Sequence, residues 1–205
     1  MMARKLLINE AVTEFETPIT LVSYSHVTPA AALPTHATGD LIIALAVNND
    51  NNSISTPAGF TFLASFGFTG YRDWFGYKTA ASASETVSWT NVDAVTYVIL
   101  RGWSSIGTQS NSVGSFLSTA DLSDAALDAT NGTSFVCHLT WAKSTGQTVG
   151  FSGDYYTETT DSEIGDFTLS FCYRAGLTSS LPVTTIDYDP GGSATWFARM
   201  LEVKA

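Results

Sequence analysis

GDLIIALAVNNDNNSISTPAGFTFLASF, Gly39 to Phe66, is the stretch that decides the fold. Leu41 to Val47 forms an unbroken apolar run, too short for an ordinary helix and closed by a knot of side-chain amides around Asp50. A run of this length between turn residues reads as a strand. Pro57-Ala58-Gly59 then turns the chain into a second strand signal, Phe60 to Ser65.

The same grammar recurs along the chain. Strands are expected at Ile19–Val27, Leu41–Val47, Phe60–Ser65, Arg72–Lys78, Thr86–Trp89, Ala94–Arg101, Ser134–Ala142, Phe167–Arg174, Leu181–Ile186 and Thr195–Val203. Composition agrees: only 14% of residues are charged, against about 25% in an average soluble protein. About ten short strands without an amphipathic helix describe an all-β protein, an antiparallel β-sandwich.

The two halves, 19–107 and 132–205, share a weak likeness of layout. Gly39 and Gly132 each open an apolar run that lies ahead of a Tyr-basic dipeptide, Tyr77-Lys78 and Tyr173-Arg174. Five strands without a disulfide make a marginal unit, so 19–205 is read as one domain rather than two. Its expected form is jelly-roll-like, with successive strands alternating between two sheets. Residues 1–18 fit no strand. They are either a frayed end or an arm that docks on a neighbour through Leu6, Leu7 and Ile8.

Nine basic residues against nineteen acidic ones give a net charge of -10. Such a chain repels phosphate backbones, which argues against a nucleic-acid partner. No apolar stretch approaches the roughly 20 residues of a membrane span, and Leu6–Ile8 is too short for a secretion signal, which points to folding in a cytoplasm. Alternation puts Cys137 on the face of Phe135, Leu139 and Trp141, while Cys172 lies opposite the face of Phe171 and Tyr173; two free thiols are expected.

Chemistry is sparse. Asn48–Asn52 lacks the acid that an EF-hand loop needs at its twelfth position, so it reads as a polar turn and not a metal site. Asp154 to Asp166 carries acids at no ligand spacing and reads as a solvated loop, in which Tyr155 and Tyr156 are candidate contact residues. GWSSIG and GFSGD both miss the G-x-S-x-G elbow, and His26, His36 and His138 form no metal-ligand pair. His138 is expected at a surface or interface. No enzymatic activity and no cofactor are expected. In RDWFGYK, Trp74 shares a face with Gly76, opposite Phe75 and Tyr77; it either contacts a partner or lies under a neighbouring loop.

Four segments, GDLIIALAV, TPAGFTFLASF, DWFGYKTAASASETVSWT and AVTYVILRGWSSIG, together resemble a recurrent β-rich module of tailed-phage structural proteins, including capsid decoration proteins and tail-fibre or adhesin components. The likeness covers 19–107. It implies a virion structural protein, assembled in the host cytoplasm, whose partners are the major capsid protein or another virion protein. A homo-oligomer is expected. A decoration or cement role suits the compact chain better than a fibre, because no heptads or shaft repeats are present. The alternative is a carbohydrate-binding adhesin that uses Trp74, Tyr155 and Tyr156 on a host glycan.

Overall fold

The computed structural model describes residues 18–68, 70–115, 133–143, 157–158, 162–177 and 195–205. Among them are the strands β1 (Thr20–Val27), β2 (Leu41–Asn48), β3 (Thr61–Ala64), β4 (Gly67–Phe68), β5 (Tyr71–Thr79) and β6 (Ala94–Arg101). The later strands are β7 (Ser105–Ser115), β8 (Ser134–Ala142), β9 (Thr157–Glu158), β10 (Ser162–Ile164), β11 (Phe167–Leu177) and β12 (Thr195–Lys204). All pairings are antiparallel. Two six-stranded sheets result, and they pack face to face as a β-sandwich.

The first sheet has the order β1-β6-β2-β5-β3, with β4 also on β5; the second has the order β10-β11-β8-β12-β7, with β9 on β11. Among the described strands, β1–β6 therefore build one sheet and β7–β12 the other. The expected alternation of successive strands between sheets does not occur. Gly102 sits at the turn where β6 hands over to β7, with a φ of 81° that L-residues with a Cβ seldom adopt. Ser104 N–H then bonds the Lys204 carbonyl, which seats the start of β7 beside the end of β12.

Alternating side chains of both sheets meet in one core. Leu41, Ile43, Leu45, Val47, Phe75, Val98 and Leu100 face Phe135, Leu139, Trp141, Phe171, Phe197 and Leu201. Rings bridge the gap, Phe66 to Phe197 at 4.9 Å and Tyr24 to Phe171 at 5.5 Å between centroids. Cys137 belongs to this core, whereas Cys172 pairs in register with His138 on the opposite face; neither forms a disulfide. Burial pushes the Cys137 thiol up to about 12, which makes it inert as a thiolate at neutral pH.

Why β2 is apolar at every position, instead of at alternate ones, follows from a second core on its other face. Ile42, Ala44 and Ala46 of β2 and Val95, Tyr97 and Ile99 of β6 lie under Ile54, Phe60 and Ala80, with Leu33, Val87 and Trp89 packed against them. A strand covered on both faces reads as a continuous hydrophobic run. Thr86–Trp89, expected as a strand, belongs to this cover and does not pair. Trp89 donates its indole N–H to the Tyr97 hydroxyl at 2.6 Å instead. The expected strand Leu181–Ile186 lies outside the described residues.

Candidate functional site

Of the residues singled out in the sequence, Leu6, Leu7, Ile8, Tyr155 and Tyr156 lie outside the described residues. Trp74 is described and is only 1% exposed. Alternation places it on the outer face as expected, but it is not a free surface ring, because the segment 54–60 and Trp89 cover it. Its ring meets Phe60 at 5.6 Å and Trp89 at 5.1 Å, and its N–H donates to Thr56 Oγ1 at 3.0 Å. Gly76 makes this possible: a Cβ there would stand 2.5 Å from Trp74 Cη2 and 2.5 Å from the Thr61 carbonyl oxygen. His138, expected at a surface or interface, is also buried, since β8 is enclosed on both faces along its whole length.

The amide knot turns the chain by its own hydrogen bonds. Asn48 Nδ2 donates to the carbonyls of Asn52 and Asn91, and the Asp50 carboxylate accepts from the backbone and side chain of Asn52. Asn49 has a further role: its Nδ2 donates to Asp166 Oδ2 at 2.7 Å, and Lys143 Nζ donates to both Asn49 Oδ1 and Asp166. This ties the end of β2 to the β10–β11 turn and the end of β8, so one corner of each sheet is clasped to the other. Among the described residues no group of three or more His, Cys, Asp or Glu side chains is placed to hold a metal ion.

One ion pair is wholly internal. Asp73 of β5, fully buried, faces Arg199 of β12, 2% exposed, across the sandwich. Burial pushes the Asp73 carboxyl up, opposed by the Arg199 guanidinium and the Phe66 N–H. The Arg199 guanidinium also lies 4.2 Å over the Phe197 ring. At the other end of the first sheet, Arg101 grips Asp40 with two hydrogen bonds of 2.8 and 2.9 Å and holds that carboxyl below its usual range.

One rim of the first sheet is different. Phe62 of β3 stands opposite Gly76 in register and remains 49% exposed, its ring 6.2 Å from that of Trp74. Phe68 on β4, 40% exposed, pairs with Tyr71 toward the other end of the same partner strand. Beside Phe62 a cleft of about 240 Å³ is lined by Ser53, Ile54, Thr56, Ser65, Arg72, Asp73 and Trp74. Sequence reasoning passed over Phe62 because apolar periodicity cannot show that a strand lies at a sheet edge. Glycine as its cross-strand neighbour is the one available signal.

No protein-family model matches the chain, and no curated protein or solved structure matches it either.

Proposed function

We propose that the protein is a non-enzymatic virion structural protein that docks on an assembled capsid shell and stabilises it. Support begins with the resemblance over 19–107, a stretch that corresponds to one complete sheet, its covering loops and the turn into β7. The observation that carries the reading is the use of the described ionic groups: Asp73–Arg199, Asp40–Arg101, Lys143–Asp166 and Lys78–Glu85 all close on partners within the chain. Such pairs brace the sandwich, while the chain's net charge of -10 keeps an outward-facing surface soluble. Many copies on a symmetric shell add modest contacts into a large gain by mass action. Residues 1–18, with Leu6, Leu7 and Ile8, are the proposed docking arm. Calorimetry of empty shells with and without the protein tests this: bound copies raise the shell's melting temperature, and an unchanged transition at saturating protein refutes it.

A glycan-binding adhesin is the second reading. Trp74 is covered, so the observation that favours it is the exposed Phe62 ring beside a polar cleft.

A further inference from the structure

We propose that the cleft beside Phe62 is a saccharide subsite that takes a single pyranose ring, a binding function separate from docking on a shell. The first ground is the ring itself. Ile54, Phe60 and Trp74 on the outer face of this sheet are all buried, yet Phe62 projects half-exposed from its rim and stands against the Trp74 ring. A fixed, half-bare aromatic ring is suited to the apolar C–H face of a sugar.

The second ground is the polar wall. Arg72 donates from Nη1 to Ser53 Oγ at 3.0 Å, and Trp74 donates from Nε1 to Thr56 Oγ1 at 3.0 Å. Each hydroxyl therefore accepts a bond from within the protein. Its own proton is left to point outward, because a hydroxyl has one donor beside its acceptor lone pairs. Ser53 and Thr56 are exposed and line the cleft, as does the exposed Ser65, so hydroxyl donors are available at its opening. Arg72 lines the same cleft, and its Nε, buried against Gly67, has no acceptor among the described residues, whereas Arg101 and Arg199 give theirs to carboxylates.

A pyranose supplies what this arrangement lacks: acceptor oxygens around its periphery for the hydroxyls and the guanidinium, and one apolar face for Phe62. The volume of about 240 Å³ holds one ring and not a chain of them, below the roughly 300 Å³ at which drug-sized pockets begin. A longer glycan would continue into solvent from this one anchored unit.

The test is a titration of the isotope-labelled full chain with the methyl pyranosides of glucose, galactose, mannose and N-acetylglucosamine, followed by NMR. At least one of them is expected to shift the Trp74 indole N–H and the amides of Ser53–Thr56 saturably, with a millimolar Kd. Phe62→Ala, at an exposed position, is expected to keep the spectrum of the folded protein and weaken binding at least tenfold, while Phe62→Tyr retains it. Two results overturn the proposal: none of the four glycosides moves these signals, or Phe62→Ala binds as well as the parent chain. Loss of shell binding in Phe62→Ala with no glycoside response would assign the ring to a protein contact instead.

Discussion

Arg199 on β12 reaches across the sandwich and places its Nε and Nη2 donors on the two carboxylate oxygens of Asp73 on β5, at 3.2 and 2.7 Å. The pair joins the two sheets at a point where both side chains are out of water. Desolvation makes such a pair a weak source of net stability but a severe loss when halved. Asp73→Leu and Arg199→Met should each lower the unfolding free energy by about 3–5 kcal/mol, and the two combined should cost less than either single change. Urea denaturation of the three variants decides; additive losses would show that the residues act independently.

Trp74 and Gly76 should behave as one unit. Truncating Trp74 to Ala removes a buried ring and its bond to Thr56, at a cost of about 3–5 kcal/mol. Gly76→Ala drives a methyl against that ring and the Thr61 carbonyl and should cost about 1–3 kcal/mol. In a Trp74→Phe background the ring no longer reaches as far, so Gly76→Ala should cost less there. Equal penalties in the two backgrounds would mean that the carbonyl contact alone sets the requirement for glycine.

Two separate pH windows are expected. Burial pushes the His26 imidazole from 6.5 down to about 4. Between those values the unfolded chain holds a proton that the folded chain does not, so stability falls as the pH falls, by up to about 3 kcal/mol. His26→Gln should flatten that part of the curve. Asp40 acts lower down: Arg101 holds its carboxyl below the usual value of 3.8, so its stabilisation is complete above that range and is lost as pH drops through the folded value. Asp40→Asn should remove only this acid-side segment. Melting temperatures taken between neutral and strongly acid pH check both, and a curve unchanged in His26→Gln would refute the first.

Much of the sandwich is legible in the sequence because apolar runs between turns are local signals. Ala94–Arg101 and Ser134–Ala142 coincide with the expected strands. β7 is not legible: SIGTQSNSVGS offers little β-propensity, and it is extended because it pairs along β12 from Ser105 to Ser115. Which half supplies which sheet is equally hidden, since register is set by long-range contacts. The site shows the same division. Alternation correctly puts Trp74 on the outer face, but whether a loop lies over it depends on segments distant in sequence, as does the edge position that exposes Phe62.

Co-sedimentation of the full chain with empty capsid shells, beside a chain lacking residues 1–18, tests the central claim most directly. Saturable binding at a fixed ratio to the shell subunit, lost or sharply weakened without the arm, is the predicted result. No sedimentation of the full chain with shells at any concentration would contradict the account.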